Sequence, residues 1–134
     1  MTEFLWPVRI YYEDTDSGGV VYYANYLKFM ERARTEWLRH KGLEQDQLRR
    51  DENILFAVRS AQLDFLLPGH FNDRLEATVK IANTGKASFT FEQNIIRGKE
   101  ILCNGQVKVA CLDATSFRPR PLPSQILSEI MSDN

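Results

Sequence analysis

No apolar run in this chain of 134 residues approaches the roughly 20 that a membrane-spanning helix needs. The chain also does not open like a secretory leader. Its first residues, MTEFLWPVRIYYED, lack a basic start followed by an apolar stretch. No membrane insertion is expected, and the expected compartment is the cytoplasm. Cysteine is scarce. Cys103 and Cys111 stand in what reads as one strand, ~26 Å apart at ~3.3 Å per residue, which excludes a disulfide between them. They read as buried thiols. His40 and His70 have no ligand spacing to acids or cysteines, so no metal is expected. An excess of one charge is missing too. With 17 Lys and Arg against 18 Asp and Glu, the net charge is -1, and nothing favours nucleic acid as a partner. Finally, there is no Gly-x-Ser-x-Gly elbow, no phosphate loop and no dinucleotide fingerprint.

What is present is the balance of an ordinary globular domain. Apolar residues make up 43% and charged residues 26%. The length suits one domain with a real core, spanning residues 1–134. Residues 8–13 favour a strand by β-branched and aromatic content, and DTDSGG reads as a turn. From Tyr22 to Lys41, Tyr26, Met30, Ala33 and Trp37 recur at helical spacing. Arg39, His40 and Lys41 load the last turn, and Gly42 follows as a C′ residue. That predicts a helix of about 19 residues, roughly 28 Å long. A short helix is expected over 43–50. Strands are expected over 54–67, 75–83, 87–96 and 101–117, with turns at Thr84-Gly85-Lys86 and Arg97-Gly98-Lys99. Val107, Val109 and Cys111 should share one face. A last short helix follows Pro123. Strand, long helix, then four strands joined mostly by short turns gives an α+β domain. Its antiparallel sheet buries the apolar stripe of the single long helix.

The stretch YYEDTDSGGVVYYANYLKFMERARTEW, residues 11–37, holds the chemistry. Asp16 stands just before Gly18-Gly19 and a helix start. A cap or Asx turn accounts for a generic aspartate there. The glycines, however, allow close backbone approach to a ligand. The helix start offers unpaired N–H groups and a positive dipole end. A carboxylate beside such an anion site suits acyl chemistry. Glu13 and Asp14 read as solvated or turn-capping, and Glu31 as a partner for an arginine such as Arg34 or Arg59. Tyr22, Tyr23 and Tyr26 read mainly as core and interface residues. Lys86, Ser88, Arg97 and Lys99 sit at turns, with Arg118 and Arg120 beyond the last strand. Solubility explains them, or contact with a phosphate-bearing ligand.

In YYEDTDSGGVVYYANYLKFMERART, the positions Asp16, Gly19, Val21, Tyr23 and Tyr26 fall in a recognisable order. With WPVRIYYEDTDSGGVVY, ERARTEWLRH and PRPLP, this resembles the hotdog-fold acyl-CoA thioesterases of the 4-hydroxybenzoyl-CoA thioesterase class. The likeness is strongest to their Tol-Pal-associated, YbgC-type branch and covers essentially the whole chain. The resemblance implies a five-stranded antiparallel sheet wrapped around one long helix. It implies hydrolysis of acyl-CoA thioesters, of short-chain or hydroxybenzoyl type, with coenzyme A as part of the substrate and no separate cofactor. It implies a homo-oligomer, dimer or tetramer, with the active site between subunits. Asp16 is then nucleophile or general base, and the Tyr23 backbone N–H polarises the thioester carbonyl. Gly18, Gly19, Val20, Tyr26, Arg59, Lys86 and Ser88 are expected to contact substrate. Many sequences of that branch have His where this one has Tyr23, which leaves acyl preference open. Acyl carrier protein stays open as an alternative carrier. Two other readings remain: a dehydratase of acyl chains, which would recruit a His base, and a non-catalytic hotdog protein of envelope or phospholipid metabolism.

Overall fold

The computed structural model describes residues 3–132. Five strands form one antiparallel sheet: β1 (Phe4–Arg9), β2 (Ile54–Phe65), β3 (Arg74–Thr84), β4 (Ser88–Arg97) and β5 (Glu100–Asp113). Their spatial order is β1-β3-β4-β5-β2. The long helix α1 (Asn25–His40) packs mainly on β1, β3 and β4. Two short helices, α2 (Gln45–Glu52) and α3 (Ser124–Met131), complete the chain. A sheet curled on one central helix is the arrangement implied by the resemblance.

The apolar stripe of α1 places Tyr26, Phe29, Met30, Ala33, Trp37 and Leu38 in the core. There Trp37 meets Phe91 edge-on at 5.4 Å, and Phe89 meets Phe91 at 5.2 Å. Val107, Val109 and Cys111 do share the buried face of β5. Both cysteines are buried and free. Burial pushes the Cys103 thiol up to about 12, so it stays protonated. The end of α1 is a Schellman motif. Gly42 takes φ +82°, its N–H reaches the Arg39 carbonyl, and the Leu43 N–H reaches the Leu38 carbonyl at 2.8 Å.

The element edges differ from the sequence reading, two for local reasons and one through a contact distant in sequence. The first strand is Phe4–Arg9 rather than 8–13. The Asp14 carboxylate accepts the Tyr11 N–H at 2.8 Å, which folds Tyr12–Asp14 into a single 3-10 turn. The long helix begins at Asn25 rather than Tyr22 and is 16 residues long. Val21 and Tyr22 donate their N–H groups to the carbonyls of Gly69 and Asp14, which holds them out of the helix. The last strand stops at Asp113. Its carboxylate accepts the N–H groups of Thr115 and Ser116, both at 2.9 Å, and turns the chain.

One polar group lies at the centre of the apolar core. Gln93 on β4 is fully buried, with Oε1 accepting from Arg34 Nη1 at 3.0 Å. Its Nε2 donates to the Met30 and Thr78 carbonyls at 3.1 and 3.2 Å. Arg34 is only 9% exposed, and burial pulls its guanidinium below the ordinary arginine range. Gln93→Leu would leave that guanidinium without its Gln93 acceptor and remove one donor from each of the two carbonyls. It should cost about 2–4 kcal/mol, read as a lower urea midpoint at unchanged slope.

Candidate active site

Asp16 lies in a closed turn between Thr15 and Val21, which pair across an antiparallel bridge. Its N–H donates to the Val20 carbonyl at 2.9 Å, and its carbonyl accepts the Gly19 N–H at 3.0 Å. Its Oδ1 accepts the Gly18 N–H at 2.8 Å. This is an Asx turn, so the bland reading of the residue is correct as far as it goes. It uses one carboxylate oxygen and leaves Oδ2 without a protein donor among the described residues. Both glycines are needed here. A Cβ on Gly18 would stand 3.2 Å from Asp16 Oδ1, and Gly19 takes φ +80°.

Beyond the turn, Tyr22 donates its N–H to the Asp14 carbonyl, which also accepts from Asn25 Nδ2 at 2.9 Å. The N–H groups of Tyr23 and Ala24 donate to no protein group among the described residues. They are the unpaired donors at the positive end of α1. The Asp16 turn and these donors are brought close in sequence and structure by the same short segment.

Aromatic rings surround this turn. Tyr23 meets Phe65 edge-on at 5.8 Å, Tyr26 meets Phe65 at 5.9 Å, and Tyr22 meets Tyr23 at 4.9 Å. Tyr26 is buried, and its hydroxyl accepts the Gly69 N–H at 3.1 Å. Burial raises the Tyr26 phenol above its ordinary range, against the opposing pull of that N–H. Tyr23 is 59% exposed and Phe65 50% exposed. The rings therefore form an open aromatic wall rather than an enclosed pocket. A concavity of about 340 Å³ opens elsewhere, between α2 and the start of β2, lined by residues such as Leu48, Arg49, Ile54 and Phe56. It lies at the far end of β2 from Phe65 and takes no part in the Asp16 turn.

The structure thus brings together Asp16, Gly18, Gly19, Val20, Tyr23 and Tyr26. It does not bring Arg59, Lys86 and Ser88 to them within one chain. Lys86 and Ser88 lie at the β3–β4 turn, and the Asp16 turn lies by the other end of β4, ~33 Å away along ten residues of strand. Arg59 sits at an irregularity in β2, where pairing with β5 steps from Val58↔Val109 to Ser60↔Lys108. Glu31 accepts from Thr35 Oγ1 at 2.7 Å, and its charge also favours the ionised Arg34 guanidinium without a direct salt bridge. Asp14 is turn-capping, as expected. Arg97 and Arg120 are committed to protein groups: Arg97 to Asp73 and Glu100, Arg120 to the carbonyls of Glu52 and Asn53. Sequence reasoning missed Gly69, Asp73 and the role of Arg97. Only Pro68-Gly69 gives a signal, as the stop that closes the strand expected over 54–67. Among the described residues, no group of three His, Cys, Asp or Glu side chains could hold a metal ion. No helix there is long and apolar enough to cross a membrane.

Residues 18–104 match the model of the thioesterase superfamily. The chain belongs to that superfamily. Its similarity to the acyl-CoA thioester hydrolase YbgC of Escherichia coli O6:H1 is 43% identity over 129 residues, covering 96% of each chain. It is 39% identical to the acyl-CoA thioesterase YbgC of Haemophilus influenzae, over 92% of this chain and 90% of that one. The crystal structure of a probable thioesterase from Bartonella henselae is similar at a TM-score of 0.86 and 34% identity. That match covers 91% of this chain and all of the other. The superfamily match begins at Gly18 and so runs through the glycine pair, the tyrosines, α1 and most of the sheet.

Proposed function

We propose that this thioesterase hydrolyses acyl-CoA thioesters, with Asp16 as the catalytic carboxylate and the Tyr23 backbone N–H as oxyanion donor. The observation that supports the reading is the Asp16 turn. One oxygen is held by the Gly18 N–H, the other is free, and unpaired N–H groups follow at the start of α1. In a thioester complex the carbonyl oxygen would accept from Tyr23 N–H, and charge developing on it would meet the positive helix end. Two routes fit the carboxylate. In one, Asp16 Oδ2 attacks the carbonyl carbon, coenzyme A leaves as its thiolate, and water then hydrolyses the mixed anhydride. In the other, Asp16 takes a proton from a water that attacks directly. The test is release of free thiol from acetyl-, butyryl- and 4-hydroxybenzoyl-CoA. Hydrolysis of none of them would remove the enzymatic reading and favour a non-catalytic role. The YbgC-named relatives favour coenzyme A as carrier over acyl carrier protein. The resemblance to the YbgC-type branch further implies a Tol-Pal association and a cytoplasmic setting for this chain.

Because only the backbone of Tyr23 has a role in this reading, Tyr23→Phe should lower kcat/KM by less than tenfold, about 1.4 kcal/mol. A loss of about a thousandfold would make the phenol itself part of the chemistry.

The reading also includes a second subunit. β2 is an edge strand of 12 residues with no proline, whereas β1, at the other edge, is short and carries Pro7. Val58 and Phe65 pair with Val109 and Cys103, whose side chains face the core, yet they remain 53% and 50% exposed. Leu66 and Leu67 continue that uncovered strip. Pairing β2 with β2 of a second copy would cover it and close the aromatic wall. It would also bring Arg59, Lys86 and Ser88 of the other chain within the neighbourhood of the substrate. A dimer is the minimal assembly, and a tetramer built from two dimers is compatible with it.

A further inference from the structure

The segment joining β2 to β3, residues 68–73, touches both sides of the Asp16 site. The Gly69 carbonyl accepts the Val21 N–H at 2.8 Å, and the Gly69 N–H donates to the Tyr26 hydroxyl at 3.1 Å. Val21 and Tyr26 flank Tyr23 in the chain, and Val20 pairs with His70 across a bridge. One residue, Gly69, therefore spans the residues on either side of the proposed oxyanion donor. The fit is close, because a Cβ on Gly69 would stand 3.1 Å from both Tyr26 Oη and Val21 Cγ2.

Backbone bonds tie Asn72 and Asp73 of this segment to Ile10, and one carboxylate adds the link to β4. Asp73 Oδ2 accepts the His70 N–H at 2.9 Å and Arg97 Nη1 at 2.8 Å. Arg97 Nη1 also reaches the Pro68 carbonyl at 3.2 Å, and its Nε donates to Glu100 Oε1 at 3.1 Å. Asp73 and Arg97 thus fix both ends of the 68–73 turn to the end of β4. Burial raises the Asp73 carboxyl, but the His70 N–H and the Arg97 guanidinium outweigh it, and the group lies below the ordinary aspartate range. Neither side chain touches the Asp16 turn directly.

We propose that Asp73 and Arg97 are positioning residues for the thioesterase reaction. Their ion pair sets the Gly69 peptide, which in turn sets the backbone of residues 20–26 carrying the Tyr23 N–H. The inference rests on the reading of Asp16 and Tyr23 as the reacting site. Displacement of such groups by about 1 Å is enough to cost a hundredfold in rate, so loosening the clamp should act on kcat.

The test uses Asp73→Asn, which keeps the volume and an acceptor for the His70 N–H but loses the charge facing Arg97. The acyl-CoA with the best turnover in the panel above is the probe. Asp73→Asn should lower kcat by about ten- to hundredfold while KM stays within about threefold. Adding Arg97→Gln to it should cost little more than either change alone, since both break one unit. Hydrogen exchange of the Val21 amide should speed up at least about tenfold, with the thermal midpoint of the whole protein nearly unchanged. Arg97→Lys, which keeps the charge and one donor, should recover most of the activity lost in Arg97→Gln. Should Asp73→Asn not fold, Arg97→Lys against Arg97→Gln decides by the same kcat and KM criteria. Lys80→Gln serves as control, because it breaks another ion pair on the same sheet, at 3.3 Å from Glu92, and should leave kcat unchanged. A kcat for Asp73→Asn within about twofold of wild type, or a loss matched by Lys80→Gln, overturns the proposal. Asp16→Asn measured alongside separates the two claims. An active Asp16→Asn with an impaired Asp73→Asn overturns the Asp16 reading and leaves the clamp standing. The converse pair of results does the reverse.

Discussion

Dilution to the 15.5 kDa monomer should abolish hydrolysis. The argument begins at the edge of the sheet. Val58 and Phe65 occupy core-facing positions on β2, yet α1 packs mainly on β1, β3 and β4 and leaves them open. Tyr23 stands exposed against Phe65, with the exposed Tyr22 next to it. An aromatic and aliphatic strip of this kind, on an unblunted edge strand, is the composition of a buried interface. The Asp16 carboxylate is exposed at its border, so a lone protomer would offer the thioester a wet half-site. Water there weakens the attraction between a developing oxyanion and the Tyr23 N–H. Specific activity followed against protein concentration, with light scattering on the same samples, reads the effect. Activity should fall in step with the oligomer. Val58→Asp, which places like charges across the seam, should yield a folded and inactive monomer. A monomer with full activity would sink the interface-site model.

The second large effect belongs to Asp16→Asn. The amide retains an oxygen for the Gly18 N–H, so the turn closed by Thr15 and Val21 should survive. What disappears is the negative charge on the free oxygen. Without it neither route proceeds, since a neutral amide is a poor nucleophile toward a thioester and a poor base toward water. General-base contributions alone are about a hundred- to ten-thousandfold, and the expected loss in kcat is about a thousandfold. KM should change little, because the Tyr23 N–H and the aromatic wall still bind the acyl group. Asn followed by Ser17 is a labile pair, so the intact mass must confirm the amide before each assay.

Much of this was legible in the sequence because the signals were local. The stripe of Tyr26, Met30, Ala33 and Trp37 placed α1 in the core, and Gly42 marked its end. The turns at 84–86 and 97–99 gave the antiparallel hairpins. Asp16 followed by two glycines gave the candidate carboxylate. Two strand edges moved on local bonds to the Asp14 and Asp113 carboxylates, and elsewhere a contact distant in sequence decided the outcome. The start of α1 depends on Gly69 accepting from Val21, across 48 positions. The pairing of Asp73 with Arg97, and of Gln93 with Arg34, likewise depends on strand register. No periodicity announces such pairs. Arg97 illustrates the limit. As a basic residue near a turn it read as a solubilising charge or a phosphate contact, and the fold gives it to Asp73 and Glu100. Lys86 and Ser88 fell together with Asp16 only in the list of expected contacts. The sheet separates them by the length of β4, and a single chain cannot reunite them.

The most direct test of the central claim, that thioester hydrolysis runs on the Asp16 carboxylate, is steady-state thiol release by wild type and Asp16→Asn on the same acyl-CoA. Both proteins must elute as the same oligomer. The account predicts that wild type turns over and that Asp16→Asn retains about a thousandth of its kcat at similar KM. Retention of more than about a tenth of the wild-type kcat would contradict it.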